Sequence, residues 1–185
     1  SLEAKIKTSY SQGAVSGKGT YDIGSGATNG DNVGGLVGIL SLGGGQLEVD
    51  GVVFNSYSIS SVTITGGNSI GVGGLIGNAG ASVAIYLSYA AGSVDATSAI
   101  SAASVGGFIG KGDLMDIYVN SVYNDREISD LPFDVYSKTK SQMKSKYNFV
   151  EWDFTPGTGN WMIKESVSGY ISYPYLRVLS YDEPE

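Results

Sequence analysis

Cysteine and histidine are both missing from the 185 residues, and these two absences remove a large share of protein chemistry. Without cysteine there is no disulfide framework and no thiolate nucleophile. Without histidine no Ser–His or Cys–His couple forms, and zinc and haem lose their usual ligands. Carboxylate, lysine, tyrosine and calcium chemistry remain. No apolar run approaches the roughly twenty residues that a membrane-spanning helix needs. Positive charge is scarce: 11 Lys and Arg stand against 18 Asp and Glu, a net charge of −7. A nucleic-acid backbone or an anionic bilayer would find little to hold, so neither nucleic acid nor membrane insertion is expected. The first ten residues, SLEAKIKTSY, lack the apolar core of a signal peptide. An exported parent protein would therefore contain this chain as an excised piece, joined to flanking domains.

What is present is unevenly distributed. No proline precedes Pro132, no tryptophan precedes Trp152, and no basic residue lies between Lys18 and Lys111. Of the 28 glycines, 25 fall between Gly13 and Gly112. The composition thus divides the chain into a glycine-rich, charge-poor array (1–120), an aromatic-rich carboxy-terminal capping region (121–179) and a closing linker, SYDEPE (180–185).

The array repeats. VGGLVG at 33–38 returns as VGGLIG at 72–77 and VGGFIG at 105–110. SYSQGAVSG at 9–17 is echoed by SYSISSVTITG at 56–66 and SYAAGSVDATS at 88–98, and a degenerate fourth copy starts at Ser121 in NSVYND. The first unit is longer, with extra residues around 20–30 and 40–48. Periods of this size mark arrays in which each unit buries its apolar face only against its neighbours. Within a unit, SVAIYLSY (82–89) alternates, with Val83, Ile85, Leu87 and Tyr89 on one face. GVVFNSYSI (51–59) and DIYVNSVY (116–123) are likewise rich in β-branched and aromatic residues. Neither face of VGGLVG carries a charge, so it reads as a tightly stacked inner strand covered on both sides. Its glycines permit close approach of another backbone, or a bend. The array lacks a phosphate-binding glycine loop between strand and helix, and it lacks GGxGxD nonapeptides. The expected fold class is all-β: a repeat β-solenoid or β-helix-like stack with a C-terminal cap containing one short α-helix.

A Gly-Leu-Val-Gly core followed by Ser-Tyr and a G-x-V resembles the GLUG-motif repeat of bacterial surface and secreted proteins, over roughly residues 9–124. The tail resembles that family's closing segments in the same order. These are Tyr123-Asn124-Asp125-Arg126-Glu127-Ile128-Ser129, Thr139-Lys140-Ser141-Gln142-Met143, Trp152-Asp153-Phe154 and Tyr173-Pro174-Tyr175-Leu176. Two departures stand out: Asn124 where tryptophan is usual, and a second unit lacking the G-x-V. The resemblance implies repetitive β-structure displayed outside a bacterial cell, extracellular or at its surface, with no catalytic site.

In the tail, Thr139 and Gln142 fit a capping box that opens a short helix over KSQMKSKYNF, with Met143 and Tyr147 as its buried side. Lys138, Lys140, Lys144 and Lys146 read as solvated helix charge or, alternatively, as a polyanion site such as one for sulfated glycans. Trp152, Phe154, Trp161, Tyr173, Tyr175 and Leu176 read as a plug over the open end of the stack; an aromatic sugar platform is the rival. Asp113, Asp116, Asp125, Glu127, Asp130 and Asp134 gather near the junction, and their oxygens are candidate calcium ligands, with Asp125, Glu127 and Asp130 the foremost. The same carboxylates would serve a glycan-cleaving enzyme if two were correctly spaced. An ice-binding surface would need threonine ladders, and Thr63-x-Thr65 is not echoed elsewhere. These readings converge on a non-catalytic adhesion or display module, with no obligatory cofactor. Surface glycans or matrix proteins would be its partners, met through the variable segments 18–30, 40–50 and 95–104. A ligand-free structural spacer is the alternative, and a β-helical carbohydrate-active fragment a further one.

Overall fold

Runs of valine, isoleucine and tyrosine that are interrupted every few residues by Gly, Ser or Asn dictate strands too short to stand alone. Their stability has to come from stacking one unit on the next. The computed structural model describes residues 4–18, 31–40, 51–80, 83–98, 104–112, 117–120, 123–125, 137–166, 169–170 and 172–177. Its first unit holds β1 (Ala4–Lys7), β2 (Tyr10–Ser11), β3 (Ala14–Gly17), β4 (Asp31–Gly34) and β5 (Val37–Leu40). The second holds β6 (Gly51–Phe54), β7 (Tyr57–Ser58), β8 (Ser61–Ile64), β9 (Ser69–Gly73) and β10 (Ile76–Ala79). The third holds β11 (Val83–Tyr86), β12 (Tyr89–Ala90), β13 (Val94–Asp95), β14 (Ser104–Gly106) and β15 (Ile109–Gly112). A partial fourth contributes β16 (Ile117–Asn120) and β17 (Tyr123–Asp125), and β18 (Ser137–Lys138) follows.

Every strand of these units pairs in parallel with its equivalent in the next. The result is five sheets: β1-β6-β11-β16, β2-β7-β12-β17-β18, β3-β8-β13, β4-β9-β14 and β5-β10-β15. Among the described residues the protein is mostly β with one short α-helix, as expected, and its parallel sheets are consistent with a β-helix. The longer first unit takes up its extra residues between β3 and β4 and between β5 and β6, and most of them (19–30, 41–50) lie outside the described residues.

Register follows the motifs. Tyr10, Tyr57, Tyr89 and Tyr123 pair in turn across the second sheet. Val15, Val62 and Val94 pair across the third, so the second unit keeps the valine position of G-x-V and simply has Ser60 where the others have Gly13 and Gly92. Val33, Val72 and Val105 pair across the fourth, and Val37, Ile76 and Ile109 across the fifth.

Two expectations about single strands are corrected by this register. VGGLVG is not one inner strand. It is the end of one strand, a bend at the second glycine and the leucine or phenylalanine, and the start of another. A β-carbon at Gly74, in the bend, would run into the Gly107 carbonyl and approach the Ala90 side chain to 3.1 Å. Side chains there would force the stacked corners apart. Nor does SVAIYLSY continue as one strand to Tyr89. Leu87 turns the corner at φ 45, in line with Thr8 (φ 50) and Asn55 (φ 47) of the preceding units. The alternation in that stretch reflects burial on both sides of a corner.

The units enclose two apolar compartments. The first and fifth sheets hold Val53, Leu75, Ile76, Val83, Ile85, Phe108 and Ile109 between them. The third and fourth hold Val33, Val62, Ile64 and Val72. Each fully buried aliphatic side chain contributes roughly 1.5–3 kcal/mol. Between the compartments the fourth and fifth sheets meet almost backbone to backbone, through glycine. A β-carbon on Gly77 would come within 2.6 Å of both the Gly38 carbonyl oxygen and the Val33 nitrogen. That seam is the physical reason for the last glycine of the repeated phrase.

Candidate functional site

The second sheet and the corner that leads into it carry a run of serines and a run of tyrosines. The serines form a ladder. The Ser9 N–H donates to the Ser56 hydroxyl at 3.3 Å, and the Ser56 N–H donates to the Ser88 hydroxyl at 3.2 Å. Each hydroxyl also donates back two residues, to the carbonyls of Lys7, Phe54 and Tyr86. The bond satisfies a backbone donor at a corner where the ordinary strand ladder is broken. Beside it the tyrosines stack: Tyr10 on Tyr57 with centroids 5.3 Å apart, and Tyr57 on Tyr89 at 5.0 Å, with ring planes within 2° of parallel.

The tail builds on that column. Thr139 caps α1 (Lys140–Met143): its hydroxyl accepts from the Gln142 N–H while the Gln142 side chain accepts from the Thr139 N–H. The expected capping box is present, but the helix is shorter than expected. The chain leaves it at Lys144 and makes a separate single turn at Lys146–Asn148. Met143 is fully buried, whereas Tyr147, off that helix face, is 81% exposed; the expected Met143–Tyr147 buried pair does not form. Two small antiparallel pairs follow: β19 (Trp161–Met162) with β22 (Tyr175–Leu176), and β20 (Glu165–Ser166) with β21 (Gly169–Tyr170).

Trp152, Trp161, Phe149, Tyr175 and Leu176 are buried with Tyr57 and Tyr89 in one cluster. The aromatic residues thus pack along the flank of the second and third units, and among the described residues β18 alone extends a sheet past the fourth unit. The expected plug over the open end would meet the fourth unit, whose side chains lie outside the described residues. The tyrosine column is itself an apolar strip and attracts the aromatics sideways. Trp161 sits 6.0 Å from both tyrosine rings, and its indole N–H donates to the Asn55 side chain. The Tyr89 hydroxyl donates to the Pro174 carbonyl at 2.6 Å. Burial pushes both phenols well above the ordinary tyrosine range, and the neighbouring tyrosines add to the shift. Buried in this way, Trp152 and Trp161 are not a sugar platform.

The four tail lysines differ in their surroundings. Lys146 pairs with Glu165 at 2.9 Å, and Lys144 lies 5.4 Å from the centre of the Tyr173 ring. Lys138 is half-buried, and desolvation lowers its pKa. Of the acidic candidates, Asp113, Asp116, Glu127, Asp130 and Asp134 lie outside the described residues, and Asp125 is described only as backbone in β17. Among the described residues no three potential metal ligands come together. Thr63 pairs with Ser16 and Asp95 rather than with threonine, so it starts no threonine ladder. Among the described residues no helix is long and apolar enough to cross a membrane.

Where the second sheet turns into the third, the flank opens into a groove of about 1050 Å³. It crosses three units, from Gln12 through Ile59 and Ser61 to Ser93 and Asp95, and Lys140 at the start of α1 stands on its wall. Asp95 is pinned: its carboxylate accepts the Thr97 N–H at 2.9 Å and the Thr97 hydroxyl at 2.7 Å, and these bonds hold its pKa below the usual aspartate value. Of the segments expected to make contacts, 18–30 and 40–50 lie almost wholly outside the described residues, while Asp95, Ala96 and Thr97 of the third fall on the groove. Sequence reasoning overlooked Gln12, Ile59 and Ala91. The second residue after each repeated tyrosine varies, but so do its neighbours (Ser11, Ser58 and Ala90 before it; Gly13, Ser60 and Gly92 after it), so the repeat alone did not single the position out. Compared with protein-family models, curated proteins and solved structures, the chain finds no match.

Proposed function

We propose that this chain is a GLUG-type β-solenoid that works outside a bacterial cell as a non-catalytic adhesion or display module. One observation carries the reading: both repeated motifs are used up in packing, rung on rung. The glycines make the seam and the corners, the serines tie corner to corner, and the tyrosines anchor the tail. Such a framework supplies extent and rigidity, and it leaves contact to the residues that differ between units. Surface glycans or matrix proteins are the proposed partners, with flanking domains of a longer chain placing the module away from the cell.

The test is binding of the labelled, folded domain to a broad array of glycans and extracellular-matrix proteins, with and without calcium. Selective, saturable signals are expected. A calcium-dependent signal would bring the Asp125, Glu127 and Asp130 cluster into the binding site. A silent array with a protein shown to be folded by circular dichroism would replace the adhesion reading with that of a ligand-free spacer.

A further inference from the structure

Resting on the adhesion reading, we propose that the groove across the three units binds an extended, uncharged oligosaccharide lying along the stack, about one sugar ring per unit. Three observations lead there. The first is spacing. Parallel strands repeat at about 4.8 Å, close to the length of one pyranose residue in an extended chain, so Gln12, Ile59 and Ala91, each two residues beyond a paired tyrosine, recur at the ligand's own period.

The second is chemistry. The groove mixes hydrogen-bonding groups (Gln12, Ser61, Ser93, Asp95, with Lys140 beside them) and apolar ones (Ile59, Ala91). A sugar presents the same mixture, hydroxyls at its edge and C–H groups on its face. The Asp95 carboxylate, oriented by Thr97, is the natural acceptor for a pair of sugar hydroxyls. With Lys140 on the same wall the groove carries one charge of each sign, so it selects neither an anionic nor a cationic glycan.

The third is the backbone, whose groups at this corner are already engaged. Ser61 N–H donates to Gly13, Val62 N–H to Ser93, Ile59 N–H to Ser11 and Ala91 N–H to Ser58. A peptide adding as a strand requires a row of open backbone groups, so side-chain recognition of hydroxyls is favoured over β-augmentation.

The experiment is calorimetric titration of the full chain with neutral oligosaccharides of two to six residues, alongside sulfated and uronic-acid counterparts of equal length. Affinity is expected to rise up to three or four residues and then level off. Neutral ligands should bind at least as well as charged ones, and Asp95→Asn should weaken binding about tenfold. Ser93→Trp and Gln12→Trp each place a large ring in the groove from an exposed position, and each should abolish binding while the circular dichroism spectrum is retained. Neutral-glycan binding that survives both tryptophan variants would overturn the groove and leave the adhesion reading standing. A preference for charged ligands, or for matrix proteins alone, would overturn the ligand class. No binding to any array component would overturn the adhesion reading itself.

Discussion

Ser88 holds a bond that its counterpart in the first unit does not. Its hydroxyl takes the fully buried Ser56 N–H, whereas the Ser56 hydroxyl takes the partly exposed Ser9 N–H. Substitution by alanine should therefore cost in the order Ser88, Ser56, Ser9. About 2 kcal/mol is expected for the first and under about 1 kcal/mol for the last, since a buried donor left unpaired costs more than a lost bond at the edge; urea denaturation would check the order. At the neighbouring corner, Thr8 is a β-branched residue at φ 50, where Asn is better tolerated. Thr8→Asn should raise stability by roughly 0.5–1 kcal/mol. The tyrosines set an alkaline limit. The folded-state pKa of Tyr57 is raised above the unfolded value near 10. Stability is fully present below that value and is lost as pH climbs above it toward the folded-state pKa. Tyr57→Phe removes one group that must ionise, so midpoints measured above pH 10 should shift upward in the variant while those at pH 7 change little.

At the scale of the element, the glycine seam and the flank cluster are the two places where one side chain decides the packing of whole strands. Gly77→Ala puts a methyl group against the backbone of the adjoining sheet, where nothing flexible can yield. A loss of at least about 3 kcal/mol is expected, against the few tenths usual for a small exposed change. Trp161→Ala empties the centre of the aromatic cluster and leaves Asn55 without its indole partner, at a cost of about 3–5 kcal/mol. Tryptophan fluorescence should shift to the red as Trp152 is uncovered. These elements also show what a sequence reveals and what it hides. Repetition made the strands and their register legible, because equivalent residues recur one unit apart, and the capping box at Thr139 was legible because it depends only on neighbours in the chain. The bend inside VGGLVG was hidden: a glycine that permits close approach and a glycine that permits a turn read identically until the stacked unit beside it is known. Tyr147 was misplaced for a related reason, since its burial required the helix to continue past Lys144, and the flank draws only Met143 inward. The groove was illegible because it joins Gln12, Ile59 and Asp95, which are far apart in sequence and brought together only by stacking.

At the scale of the molecule, most strand pairings among the described residues join residues a full unit apart. Parallel pairing over such separations is slow to nucleate, so refolding on the millisecond-to-second scale is expected. Removing residues 139–185 should uncover Tyr57 and Tyr89 and give a species that binds a hydrophobic dye. Trp161 touches the second unit through Asn55 and Tyr57 and the third through Tyr89, so the tail rivets those two units together at the side. The first unit has no such rivet among the described residues; its Tyr10 has one ring face against Tyr57 and is 38% exposed. Under tension the two ends of the stack are therefore unequal. A pull on the amino terminus should peel the first unit at low force and then stop at the riveted pair. A pull on the carboxy terminus must shear the aromatic flank before any of units one to three gives way. In single-molecule stretching this predicts a small early step followed by a larger one, and a module anchored by its carboxy terminus would lengthen under load before it fails.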